Sequence, residues 1–390
     1  VQFELRLGTY RAVTLVQIAC LLALSNWLLD PAQLKLSLKR AMGRPKSGFV
    51  FAVLLATAVV AYLAGPVLGH RTPRAALEQT LSYRVSDDKL SLFFPPDTDP
   101  LLVDGLFDDA VFSLHQVEHY LDLSTDRQIA VFFFKNNEQR SRLMGAGNIP
   151  VAKPWRREVY LVLREPPHPA LRHELVHALT ARIGQGPFRL AGRLGGFLPN
   201  PGLIEGIAVA AEGPGGELTI HQWAAAMQRL ELLPALDDLF GLGFFWRNAS
   251  SAYTTAGSFC DWIRQRFGAA ALKEIYHSGS FEAATKQTLD ALERDWQEFL
   301  RNTPLEEDDL SVARHRFDRP ATLNKICVHE VARLNRDAAQ YASMKQWDKS
   351  LRLYSEAYTK SGESPHARMR LFYALVDSGR TETMQREAVA

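Results

Sequence analysis

Cysteine is nearly absent: the 390 residues hold three, Cys20, Cys260 and Cys327. They are odd in number, scattered and without a C-x-x-C pair, which excludes a disulfide framework or a thiolate zinc cluster as the organiser of the chain. A bridge between Cys260 and Cys327 has no support beyond the two thiols themselves, and burial as small apolar side chains is the expected state. A charge excess is missing too. Lys and Arg number 45 against 43 Asp and Glu, a net +2, so there is no electrostatic case for nucleic acid or for an acidic substrate. No small-x-small site follows the second of two apolar runs near the N-terminus, which argues against a cleaved signal peptide.

Those runs are the first positive feature. Residues 12–29 and 48–69 carry no charged side chain, and each has the length of a membrane span, the first at the short limit with Gln17, Ser25 and Asn26 inside it. Lys35, Lys39, Arg40, Arg44 and Lys46 fall in the connection, whereas Arg71 and Arg74 follow the second run. The positive-inside bias then places the connection in the cytoplasm and the remainder of the chain outside it, anchored in the cytoplasmic membrane of a bacterium. Residues 1–74 read as this anchor.

From 75 onward the pattern is α+β. Residues 89–94, 129–134 and 157–163 read as strands, and 101–121 and 136–144 have helical spacing. Such a small sheet could accept an extended peptide by strand addition or serve as a plain structural layer. After residue 165 the pattern becomes mostly helical. Hydrophobic content of 47% suffices for sizeable cores and two or three domains.

The chemistry-bearing motif is His173-Glu174-Leu175-Val176-His177, preceded by Pro166, Pro167 and Pro169. Residues four apart share a helix face, so the two imidazoles can meet one metal ion with Glu174 beside them. Two imidazoles, a third oxygen ligand and an open position suit zinc, one per chain, with Glu174 as base. Flanking apolar residues at helical spacing leave open a blander reading, two hydrogen-bonded core histidines. A metzincin would need Gly and His where Thr180 and Ile183 stand, so that class is excluded. Downstream, residues 201–212 read as a second helix after a Gly/Pro-rich loop (184–202) that either borders a cleft or simply connects. Glu205, near the start of this helix, is the candidate third ligand. Glu212 shares its face, either to orient an imidazole as an acceptor or as a solvated helix-end carboxylate.

Here the residues support a resemblance. H-E-L-V-H followed by E-G-I-A-x-x-x-E resembles the gluzincin metallopeptidases, and the stretch 252–263 with Tyr253 and A-G-S-F is similar to a helix of bacterial peptidase MA-like domains, as is 289–296, L-x-x-L-E-x-x-W. The resemblance covers about residues 85–302. It implies His173, His177 and Glu205 as zinc ligands, Glu174 as catalytic base, and Tyr253 as either an oxyanion stabiliser or a helix-packing side chain. Val209 departs from the Asp of thermolysin-like enzymes, and no G-x-M-x-N motif is present, so aminopeptidase specificity is not implied.

Residues 303–390 begin with the acidic stretch 306–309, a linker or helix start. Two helices follow, 338–347 and 348–360, with Trp347, Leu351, Tyr354 and Ala357 spaced as in a tetratricopeptide repeat, and then a third, 366–377. They would form either a docking surface for a protein partner or a packing cap. The sequence therefore predicts an anchor (1–74), a metallopeptidase domain with a sheet part (75–165) and a helical part (166–302), and a helical-hairpin region (303–390). The expected activity is zinc-dependent hydrolysis of a peptide or protein substrate. The alternative is a non-catalytic, membrane-tethered binding scaffold of the same fold.

Overall fold

Strands buried on both faces set the architecture of the first half of the chain. The structure, a computed structural model, describes residues 5–30, 35–36, 38–65, 72–144, 150–193, 195–213, 216, 218–317, 328–360 and 365–380. Arg71, Cys327 and residues 66–69 of the second apolar run lie outside the described residues. The chain divides into two compact units, Val1–Arg182 and Ile183–Ala390.

In the first unit the apolar runs form helices α1 (Leu5–Leu28) and α2 (Pro45–Leu63), which pack on each other. Trp27 donates to the Ala41 carbonyl at 3.0 Å and stacks on Phe51. Both helices are long and apolar enough to cross a membrane by length and composition, and Leu15, Leu21, Phe49 and Leu63 project outward, exposed.

After α3 (Arg74–Thr80) comes a five-stranded mixed sheet of β1 (Tyr83–Ser86), β2 (Leu90–Phe94), β3 (Ile129–Phe134), β4 (Val151–Lys153) and β5 (Glu158–Val162), in the order β1-β2-β3-β5-β4. The central pairs β2/β3 and β3/β5 are parallel; the outer pairs are antiparallel. Parallel neighbours need crossovers, supplied by α4 (Pro100–Leu121) and by the segment holding α5 (Asn137–Met144). Period-two alternation divides the strand side chains. Leu92, Phe94, Val131, Phe133, Val159 and Leu161 face α4 and the helix Leu171–Thr180 described below, while Phe93, Phe132, Phe134 and Tyr160 face Leu77 of α3 and Leu143 of α5. Phe93, Phe132 and Tyr160 stack strand to strand at 4.8 and 5.4 Å; each such buried side chain stabilises the fold by about 2 kcal/mol. Glu158 is buried with Arg156 at 2.7 Å and Arg74 at 3.3 Å, its charge paired on both sides. Burial and this carboxylate push the Tyr160 phenol up.

The second unit is mostly helical. Its elements include α7 (Pro201–Glu212), α8 (Ile220–Arg229), α9 (Ala249–Ser278), α10 (Leu289–Arg301) and α11 (Glu307–Phe317); α6 (Leu171–Thr180) belongs to the first unit. Thr219 and Gln222 form a capping box at α8. An aromatic core joins Phe240, Phe259, Phe281 and Trp296. At Gly268, φ is +84°, and α9 breaks there. The acidic stretch is a helix start, with the Glu306 amide bonded to Asp309. Helices α12 (Val328–Ser343), α13 (Trp347–Lys360) and α14 (Pro365–Asp377) end the described chain. Trp347 opens α13 instead of closing the preceding helix as the sequence predicts, because the backbone turns at Lys345 with φ +56°. Ser350 then bonds the Ala338 carbonyl at 2.9 Å, tying α13 to α12.

Candidate metal centre

Helix α6 (Leu171–Thr180), which carries the two histidines of the candidate metal group, is fixed at both ends. Its apolar stripe of Leu171, Leu175 and Ala178 is fully buried against the sheet. Before its first turn, His168 is held by three bonds: its amide donates to Asp109 at 2.6 Å, its Nδ1 accepts from the Ala170 amide at 3.2 Å, and its Nε2 lies 3.0 Å from the Val162 carbonyl. An Nδ1 that accepts leaves the proton on Nε2, so the ring is neutral with a defined tautomer. Burial lowers its pKa, opposed by the Val162 bond and the Asp109 charge and reinforced by Arg164. At the other end Arg157 donates to the carbonyls of Ala178 and Leu179 at 2.8 and 3.2 Å and pairs with Asp126 at 2.9 Å. A guanidinium at the last carbonyls satisfies acceptors that the helix cannot and opposes its dipole.

On the face of α6 away from the sheet, the His173 and His177 rings lie 4.8 Å apart, edge to face. His177 and Glu174 are buried. On α5, Arg140 is only 3% exposed; burial pushes its pKa down, and the Glu174 carboxylate within electrostatic range pulls it back.

Glu205 stands on α7, whose start is set by Asn200: the side chain accepts from the Leu203 amide at 3.1 Å, and Pro201 occupies the first turn. Gly206 lets α7 approach α9, since a Cβ there would come within 2.8 Å of the Ala256 carbonyl and 2.9 Å of Cys260 Sγ. Cys260 is thus a buried spacer, and its burial raises the thiol pKa.

One ligand atom each from His173, His177 and Glu205 lie within 4.8 Å of one another. These three side chains form a group of the kind that can hold a metal ion. The donor set of two imidazoles and a carboxylate fits a divalent metal of zinc's kind and leaves a coordination position over. Among the described residues no other set of three His, Cys, Asp or Glu side chains converges in this way.

Of the other residues singled out by sequence, Glu174 reaches this neighbourhood on α6 itself. Glu212, half-buried at the end of α7, is not among the three converging donors. Tyr253 stands in the first turn of α9 with its ring 5.4 Å from Phe244. His168, Arg157 and Arg140 were not singled out by the sequence reading, and Gly206 entered it only as part of the E-G-I-A motif. Of the first three, only His168 left a trace, as the polar residue inside the proline run before α6.

A second constellation has the look of chemistry without the access. His221 Nδ1 lies 2.9 Å from Ser258 Oγ and its Nε2 3.0 Å from Asp261, while Trp296 Nε1 donates to Ser258 at 3.3 Å. A nucleophilic serine must meet its substrate, and Ser258 is 0% exposed. The row is a strut joining α8, α9 and α10. Comparison of the sequence with protein-family models and with curated proteins finds no match.

Proposed function

We propose that the protein is a membrane-anchored, zinc-dependent metallopeptidase of the gluzincin type, similar to bacterial peptidase MA-like domains. The observation that carries this reading is the convergence of His173, His177 and Glu205 with Glu174 on the same helix as the two imidazoles. His173, His177 and Glu205 would hold the ion. When bound, zinc supplies a Lewis acid that polarises a carbonyl and acidifies water. Glu174 would take the proton of the attacking water as the C–O bond forms, and would later deliver it to the leaving nitrogen as the peptide C–N bond breaks. Tyr253 donates a hydrogen bond to the developing oxyanion, and Glu212 steadies an imidazole from outside the ligand set. Edge strand β4, antiparallel to its one neighbour in the sheet, is where an extended peptide substrate would add as a further strand.

Helices α1 and α2 anchor the chain in a bacterial cytoplasmic membrane, with the basic connection in the cytoplasm and the catalytic part outside it. The tetratricopeptide-like helices α12 and α13 frame a groove of about 760 Å³ lined by Asp337, Tyr341, Met344 and Arg352, which supports a protein partner there.

Replacing Glu174 tests the reading. Glu174→Gln keeps the shape and removes the base, so zinc content should stay at the wild-type level while proteolysis falls by at least about 100-fold. Hydrolysis retained by this variant excludes Glu174 as the base.

A further inference from the structure

Two segments of the helical unit, residues 183–200 and 240–250, combine exposed aromatic side chains with a one-sided charge. Phe197 is 72% exposed, Phe245 58% and Trp246 67%, with Leu198 beside them, also exposed. Apart from Val312, Met344, Met369, Tyr373 and Val376, every large apolar side chain exposed in the described part of this unit belongs to these two segments. They are neighbours in space. A Cβ on Gly202, at the start of α7, would meet the Leu239 carbonyl and the Phe240 ring, the 3₁₀ turn Leu242–Trp246 packs on α7, and the ladder pairing Gly192 with Pro199 leads into the same helix. Gly186, Gly195 and Gly196 all have positive φ, and a Cβ at 186 or 196 would stand 2.3 or 2.4 Å from a backbone carbonyl oxygen, which fixes the first segment as a tight loop.

The charge distribution says what such a surface meets. Across both segments the sequence has no Asp or Glu but three arginines, of which Arg189 and Arg247 are exposed. Arg247 shares its charge with Asp238 outside them. Trp and Phe displayed with Arg and without carboxylates form the composition that settles at the boundary between lipid headgroups and acyl chains, where rings enter the apolar edge and guanidinium groups face anionic headgroups.

We propose that the loops around Phe197 and Trp246 bind the surface of an anionic lipid bilayer and so lay the helical unit against the membrane. This rests on the anchoring proposed above and not on the peptide-bond chemistry. Its consequence is that substrate would be met close to the lipid surface, favouring peptide segments that emerge from or lie along it.

The test uses the full chain reconstituted in vesicles of phosphatidylcholine with phosphatidylglycerol, with and without bromine on the acyl chains, and again in phosphatidylcholine alone. The emission lost in Trp246→Phe isolates Trp246 from the other tryptophans. That emission should fall roughly two-fold with brominated lipid in the anionic vesicles and less in the neutral ones. A Phe197→Ser/Phe245→Ser double variant should abolish the quenching. Flotation of the vesicles reports separately whether α1 and α2 anchor the chain. Trp246 emission indifferent to bromine in floating vesicles overturns the proposal. Emission that ignores bromine but shifts on adding an extended apolar peptide assigns the surface to peptide instead, and overturns it equally.

Discussion

Gly206 and Ala256 approach so closely that a single methyl group separates the native arrangement from a clash: a Cβ at 206 would stand 2.8 Å from the Ala256 carbonyl oxygen, a backbone atom with no rotamer to escape into. Glu205 is the preceding residue, so the helix crossing of α7 on α9 and the position of the candidate third donor are tied together. Gly206→Ala should destabilise the fold by about 1–3 kcal/mol and weaken zinc binding, because relief requires α7 to shift and carry Glu205 with it. Isothermal titration of the chain with zinc checks this. Unchanged affinity would show that Glu205 is placed independently of the crossing.

The entry to α6 should be sensitive to acid. His168 is neutral in the folded protein, with burial as the main cause of its lowered pKa. In the unfolded chain the imidazole titrates near its ordinary value of about 6.5. The unfolded form therefore binds the proton more readily, and the stabilising contribution present above that pH is lost as pH falls through the His range to the lowered folded value. Protonation would also put a hydrogen on Nδ1 opposite the Ala170 amide. Hydrogen-exchange protection of residues 170–175, measured without metal, should drop below about pH 6.5. In His168→Gln it should lose most of this slope. A variant with the wild-type slope would remove His168 from the account.

The buried Ser258 row offers a control on the chemistry. Ser258→Ala should leave proteolysis in place and resist labelling differences with a fluorophosphonate, while costing about 1–3 kcal/mol because Trp296 Nε1–H loses its acceptor. Fluorophosphonate labelling that disappears in Ser258→Ala, together with activity, would transfer the hydrolase function to this row.

How far the sequence foretold these features follows from the range of the interactions behind them. The strands at 89–94 and 129–134 were legible because they are short apolar runs bounded by Pro, Lys or Asn, and the structure places Leu90–Phe94 and Ile129–Phe134 there. The i, i+4 pair on α6 is equally local, and one apolar-rich helix with an acid near its start and another at its end sufficed to nominate Glu205. The order β1-β2-β3-β5-β4 was not legible, since nothing in β4 says which neighbour it will pair with. The turn at Lys345 was missed for another reason: it is one residue with positive φ inside a continuous helical pattern, and the pattern outvotes it. The Ser258–His221–Asp261 row needed residues about 40 apart to meet, a tertiary fact with no sequence signal.

The central claim is that His173, His177 and Glu205 hold one ion together, and zinc content of the purified full chain tests it most directly. The account predicts about one zinc per chain in the wild type and loss of the metal in His173→Ala, His177→Ala and Glu205→Ala, each still folded by far-ultraviolet circular dichroism. A folded wild-type chain that takes up no zinc, or a Glu205→Ala variant that keeps it with wild-type affinity, would contradict it.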